Sequence, residues 1–258
     1  MLSEKVILKK ENEINKYLYD MHCHLNEFSN SDLSKIFENK IKVVAVSEEL
    51  ESLRKIMELA DVYKGYVIPC GGFHPWILDK MLIDQSDEII KFIERHDLNC
   101  IGEVGIDKRF MKQETFKKQE EIFLKFVNLS KEMDIMINIH SPNAWKEVLE
   151  ILVKNDVRRA MFHWYTGPIE LIEDIAKNNY AISLNVALML QKKHIDIIKN
   201  TPKEHMVLES DGPYNYHGIK LSPLMISELV DFIAKTKNME RDEVINFSAV
   251  KSIYLLKS

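Results

Sequence analysis

The sequence predicts one α/β domain folded as a single (β/α)8 TIM-like barrel of the metal-dependent hydrolase type, with an extra C-terminal helix. Three observations lead there. Short β-branched or apolar runs recur eight times, stretches of helical spacing follow most of them, and no linker, internal repeat or low-complexity segment interrupts the series. Such alternation implies a parallel sheet, and eight units in 258 residues suit a closed barrel better than an open doubly wound sheet. Length alone, at roughly 150 residues per domain, would favour two domains, but α/β barrels of about 250 residues are the standing exception. The chain then divides into an N-terminal extension (1–16) and the barrel domain (17–258).

In order, the expected strands are Tyr17–Leu25, Ile41–Ser47, Tyr66–Phe73, Asn99–Asp107, Ile135–His140, Val157–Trp164, Tyr180–Asn185 and His205–Asp211. Helical spacing is clearest in Thr115–Met133, Ala144–Lys154 and Ile169–Asn178; in the first of these Phe116, Ile122, Phe123, Phe126 and Val127 supply the apolar positions. Helix openings are marked by Ser31-Asp32, by Pro168 in a first turn, and by Ser222-Pro223. A seventh helix is expected over Ala187–Lys199, and the extra helix begins near Arg241.

Composition narrows the partners. The formal net charge of −5 argues against broad adhesion to nucleic acid or to an anionic membrane, which need a basic face. Phosphate substrates stay open, because bound metal ions supply positive charge that side-chain counting omits. No run reaches the roughly 18 apolar residues of a membrane span, and the charged N-terminus lacks a signal-peptide pattern, so a cytoplasmic protein with no membrane partner is expected. Cys23, Cys70 and Cys100 are odd in number, lie in apolar runs and form no CxxC, the pattern of buried, reduced thiols.

The strongest chemical signal is Asp20-Met21-His22-Cys23-His24 in the first strand. Strand alternation points Asp20, His22 and His24 to one face, where two imidazoles can share an ion. His74 follows the third strand, Glu103 sits in the fourth, His140 closes the fifth, His163 lies near the end of the sixth and Asp211 ends the eighth. In a barrel these converge on the C-terminal face, where active sites lie. His96, His194, His205 and His217 fall elsewhere and read as surface residues. Four imidazoles (His22, His24, His140, His163) with Glu103 and Asp211 exceed the needs of one tetrahedral ion. They suit two divalent metal ions bridged by one carboxylate, for which Glu103 is the natural choice. Mixed imidazole and carboxylate ligands are compatible with Zn, Mn, Fe or Co and do not exclude Mg.

The ordered motifs resemble the TatD family of metal-dependent deoxyribonucleases. The matches run from Tyr17 onward: Asp-x-His-x-His, Gly-x-His-Pro-Trp at 72–76, Gly-Glu-Val-Gly-Ile-Asp at 102–107, Gln119, Ile-His at 139–140, His-Trp-Tyr-Thr-Gly at 163–167 and Leu-Glu-Ser-Asp-Gly-Pro-Tyr at 208–214. The resemblance implies that His22, His24, Glu103 and Asp211 hold one metal and Glu103, His140 and His163 the second. It makes Glu103 and Asp211 the catalytic pair, with Asp211 accepting the proton of the attacking water. It implies DNA as substrate, single strands or 3′ ends, and assigns His74 to a substrate phosphate; Lys108 and Tyr214 join it as substrate-binding candidates. Trp76, Trp164, Tyr165 and Tyr214 can either stack on a base or pack.

The chain departs from the family at substrate-facing positions. Ser141, Pro142 and Asn143 follow His140, where an Arg two residues on is usual; Lys108 stands where an aromatic is usual. Tyr216-His217-Gly218-Ile219-Lys220-Leu221-Ser222-Pro223 replaces an Arg-Asn-x-Pro stretch. A metal-dependent hydrolase of a small amide, lactone or phosphoester, and a catalytically silent barrel used as a binding subunit, are the alternatives to the deoxyribonuclease.

Overall fold

The computed structural model describes residues 17–79, 83–191 and 194–257. The expected N-terminal extension, 1–16, lies outside them. Eight parallel strands follow the expected order: β1 (Leu18–Cys23), β2 (Ile41–Val46), β3 (Val67–Cys70), β4 (Cys100–Gly105), β5 (Met136–His140), β6 (Ala160–Phe162), β7 (Ala181–Asn185) and β8 (Met206–Glu209). Continuous pairing runs β1-β2-β3 and β4-β5-β6-β7-β8. Backbone bonds join the two sheets at both seams. Between β3 and β4, Gly102 N–H donates to Gly71 O at 2.9 Å and Gly71 N–H to Cys100 O at 3.2 Å. Between β8 and β1, Asp211 N–H donates to His22 O at 2.9 Å and His24 N–H to Gly212 O at 2.8 Å.

The barrel interior confirms that ring. One apolar cluster draws on every strand: Tyr19 and Met21, Val44 and Val46, Cys70, Cys100, Met136, Met161, Ala181 and Val207. Outside it stand the helices α1 (Asn30–Glu38), α2 (Leu50–Val62), α3 (Ser86–His96), α4 (Phe116–Met133), α5 (Trp145–Lys154), α6 (Glu170–Lys177), α7 (Ile195–Asn200), α8 (Ile226–Lys237) and α9 (Arg241–Leu256). In α4 the buried Ile122, Phe123, Phe126 and Val127 recur at helical spacing and join the large cluster between sheet and helices. The extra helix α9 opens with a Glu240/Glu243 capping box, and its Ala249, Leu255 and Leu256 enter the interior cluster, filling the barrel beneath the strand starts.

Three expectations change. The seventh helix becomes a short 3-10 turn, Val186–Met189, followed by the brief α7; residues 192–193 lie outside the described ones. The segment after Tyr214 forms a small antiparallel hairpin, Asn215–Tyr216 with Ile219–Lys220, turned by His217 and Gly218 at φ 52° and 84°, the positive-φ pair a tight hairpin requires. Cys70 and Cys100 are joined in a disulfide, correcting the reading of three reduced thiols; Cys23 alone is free and buried. Barrel curvature brings inward residues of neighbouring strands together, their Cα atoms 4.5 Å apart, a proximity that 30 residues of sequence separation conceal.

Lys251 of α9 is buried and donates to Asn179 O and Oδ1 at 2.8 and 2.9 Å. Burial lowers its pKa to about 8. The unfolded lysine keeps its proton to a higher pH, so between about 8 and the ordinary lysine value the unfolded chain binds more protons and stability rises with pH. Relative to Lys251→Met, the wild type gains roughly 1–3 kcal/mol between neutral pH and pH about 10. Paired denaturant titrations measure this; parallel stability curves for the two proteins would contradict it.

Candidate metal centre

The site sits where the strands end. Two strands reach it by breaking alternation. Between Asp20 and Cys23, β1 advances three residues while β2 advances two, from Val43 to Ala45. Between Ile101 and Val104, β4 does the same against Ile137 and Ile139 of β5. Such bulges re-aim side chains, and these carry His22 and Glu103. Asp20, expected on the same face as His22 and His24, has a structural task. Its Oδ1 accepts Ser210 N–H at 2.9 Å and His22 N–H at 3.2 Å, locking β1 to the end of β8. Burial raises the Asp20 pKa to about 7.

Glu103 is the centre of the constellation. Its Oε2 lies 3.3 Å from His22 Nε2 and 3.5 Å from His24 Nε2, and Asp211 Oδ1 is 3.4 Å from each imidazole nitrogen. A tetrahedral ion with ligands at about 2.0–2.1 Å separates its ligand atoms by roughly 3.3–3.4 Å. The carboxylate-to-imidazole spacings here match that value, and His22, His24 and Glu103 lie close enough together to hold one ion, with Asp211 beside both imidazoles. On its other side, Glu103 Oε1 lies 2.7 Å from His140 Nδ1, 3.4 Å from His74 Nε2 and 3.7 Å from His163 Nε2.

The outer partners decide which imidazole nitrogens carry protons. Asn138 Nδ2 donates to Met21 O at 2.9 Å, which turns its Oδ1 to His22 Nδ1 at 2.9 Å. That nitrogen must be the donor, so His22 Nε2 holds a lone pair. It is buried with no hydrogen-bond partner, facing two carboxylates. His140 Nε2 donates to Asp107 Oδ2 at 2.8 Å and His163 Nδ1 to Glu209 Oε2 at 3.0 Å. With their outer nitrogens tied to Asn138, Asp107 and Glu209, these rings turn their other nitrogens toward Glu103, the arrangement in which deprotonated imidazoles can ligate a cation. The residues fit a divalent metal. His74 differs: Trp76 N–H donates to its Nδ1 at 3.1 Å, so its Nε2 carries the proton and serves as a donor.

Charge states follow. Burial opposes ionisation of Glu103, but the surrounding His74, His22, His163 and His140 hold its pKa well below the ordinary range. For Asp211, burial is likewise outweighed by His22 and His24, and its pKa falls. Burial disfavours the His22 and His24 cations, yet Glu103 and Asp211 raise both pKa values. The same contest, settled by Glu103 and Asp107, lifts His140 to about 9, whereas burial lowers His74.

Sequence reasoning missed this outer layer, although part of its signal was present: Asn138 lies two residues before His140 on the same face of β5, and Glu209 closes β8 two residues before Asp211. Asp107 does more than orient His140. Its Oδ1 accepts the backbone N–H of Arg109 and Phe110, and its Oδ2 also accepts Trp76 Nε1–H at 2.7 Å. Gln119, from α4, clamps the Asp107 backbone, accepting its N–H at 2.6 Å and donating to its carbonyl. Asn138→Leu frees the His22 ring, and metal affinity should fall about 10–100-fold. Competition with a metal-chelating dye reads the shift; wild-type affinity in the variant would refute the tautomer argument.

A cleft of about 630 Å³ opens over these groups, lined by His24, His74, Glu103, His140, His163 and Asp211, and walled by Trp76, Trp145, Trp164, Tyr214 and Tyr216. His22 lies beneath them, fully buried. Two expectations shift here. Lys108 pairs with Glu147 and does not line the cleft; Arg109 does. His194, read from sequence as a surface residue, also lines it. Tyr165 is buried, its hydroxyl donating to Pro168 O, so it packs.

A barrel that gathers imidazoles and carboxylates at its C-terminal mouth defines a metal-dependent hydrolase. Comparison with known proteins gives the class a name. The family model described as TatD related DNase matches residues 19–256. The chain belongs to that family. An uncharacterized metal-dependent hydrolase of Methanocaldococcus jannaschii is 30% identical over 238 residues, covering 89% of this chain and 92% of the relative. Human Deoxyribonuclease TATDN3 is 26% identical over 258 residues, covering 92% and 94%. The crystal structure of YjjV, a TatD homolog from Escherichia coli K12, superposes with a TM-score of 0.84 at 20% identity, covering 95% of this chain and 99% of that one, and supports the fold. Among the described residues no helix is long and apolar enough to cross a membrane.

Proposed function

We propose that the protein is a deoxyribonuclease that cleaves DNA phosphodiester bonds, at single strands or 3′ ends, using two divalent ions drawn from Zn, Mg and Mn. The observation that carries this is the division of Glu103: one oxygen faces His22 and His24, the other His140 and His163. His22, His24, Glu103 and Asp211 would hold one ion and Glu103, His140 and His163 the other. Bound there, the ions supply Lewis acidity. His74 presents its Nε2–H to a phosphate oxygen. Asp211, a carboxylate lining the cleft beside His22 and His24, is the residue assigned to accept the proton of the attacking water. Tyr214, 48% exposed on the cleft wall, is placed to meet a base.

The test is hydrolysis of single-stranded DNA by metal-loaded protein, compared with Asp211→Asn. Wild-type turnover no faster than the variant with Mg, Mn and Zn alike would end the nuclease reading. One observation favours a small-molecule hydrolase as the second reading: Arg109 is the only lysine or arginine lining the cleft among the described residues. A preference for uncharged esters or amides over nucleotides would establish that alternative.

A further inference from the structure

Arg109 follows β4 at the rim of the cleft, next to the Asp107 that orients His140. Its backbone is fixed, with N–H donating to Asp107 Oδ1 at 2.8 Å, and its guanidinium carbon lies 4.9 Å from the centre of the Phe110 ring. It has no carboxylate partner among the described residues, whereas its neighbour Lys108 is paired with Glu147. The loops after β1, β2 and β3 bring Glu27, Glu48 and Asp79 to the same cleft, and none of these has a lysine or arginine partner among the described residues, although Glu48 acts on His74. The mouth is therefore polarised, with one unpaired cation after β4 and unpaired carboxylates after the first three strands.

We propose that Arg109 is the specificity-determining residue of the site: it receives a second anionic group carried beside the reacting phosphodiester, while the wall of Glu27, Glu48 and Asp79 rejects one. The proposal deepens the phosphodiesterase reading and rests on it. Three features support the assignment. Arg109 stands free to bind, as a paired arginine would not, and its planar fork matches two phosphate oxygens. The residues after His140, Ser141 and Pro142, line the cleft without charge, so the anion contact has to come from another loop. Through Asp107, the turn bearing Arg109 is tied to His140 and Trp76, which fixes the distance between the anion contact and the reacting centre. The carboxylates of the loops after β1, β2 and β3 then give direction by penalising a second anionic group placed toward them.

The experiment compares binding of thymidine 3′,5′-bisphosphate and thymidine 5′-monophosphate to metal-reconstituted protein by calorimetry. Wild type should prefer the bisphosphate, and Arg109→Gln should erase about 10–100-fold of that preference, the scale of a lost charge-assisted hydrogen bond. Lys146→Gln, on the exposed face of α5, controls for generic charge loss and should keep the preference. A preference retained in Arg109→Gln, or lost equally in Lys146→Gln, overturns the assignment. Neutralising Glu27, Glu48 and Asp79 together should tighten bisphosphate binding severalfold; unchanged or weaker binding overturns the role given to the wall. Wild-type hydrolysis of bis(p-nitrophenyl) phosphate keeps the two levels apart. Its absence with every metal defeats the phosphodiesterase reading, whereas its presence alongside an unaltered Arg109→Gln preference defeats only the Arg109 assignment.

Discussion

Glu103→Ala should lower kcat/KM for single-stranded DNA by three orders of magnitude or more, about 4 kcal/mol of transition-state stabilisation, and should reduce bound metal from two ions per chain to one or none. The size of the effect follows from position. Among the described carboxylates Glu103 alone lies within 4 Å of imidazole nitrogens of both histidine groups, those of His22 and His24 and those of His140 and His163. Without it the proposed sites keep Asp211 as their one carboxylate beside four imidazoles, a set that would hold two dications poorly. Elemental analysis after reconstitution and single-turnover kinetics test both halves. A variant that retains two tightly bound ions would show that Glu103 does not bridge.

The second large effect is structural. At Gly105 an added Cβ would lie 1.8 Å from the backbone oxygen of His140, and φ is 156°, a conformation that side-chain-bearing residues rarely adopt. The obstruction is backbone, so no rotamer change relieves it. Gly105→Ala should destabilise the fold by more than about 4 kcal/mol or prevent soluble expression. By contrast, Gly65→Ala, at φ 81° with open space around it, should cost about 1 kcal/mol. Thermal melts of the pair separate the explanations, since equal losses would mean that backbone conformation, not the approach of β4 to β5, sets the penalty. The same contact positions chemistry, because Gly105 pairs with His140 and lets that strand end come close to Glu103.

Much of this arrangement was legible in the sequence. Eight apolar runs announced the strands, and the residues closing them announced the cluster of imidazoles and carboxylates, because strands that run one way in a ring must present their C-terminal ends together. What alternation could not reveal were the places where alternation stops. A two-residue period puts Asp20 beside His22, but the extra residue in β1 sends its carboxylate to Ser210 instead. The Cys70–Cys100 pairing and the pairing of Lys108 with Glu147 depend on how neighbouring units pack, which local patterns do not encode. The His217-Gly218 turn did carry a local signal, a glycine flanked by short polar and apolar residues, but two-residue strands are too brief for periodicity to register. Arg109 stayed hidden for a different reason: it stands in an irregular turn beyond β4, where neither strand nor helix period says which way a side chain faces.

The terminal helix also has a kinetic consequence. Ala249, Leu255 and Leu256 of α9 stopper the barrel from below, and the lumen above them is packed with side chains. Among the described residues this leaves the cleft at the strand ends as the way in and out. On the proposed function, a cleaved fragment would leave past the same aromatic walls and the same arginine as its parent, so departure of the fragment would govern the pace of repeated cycles.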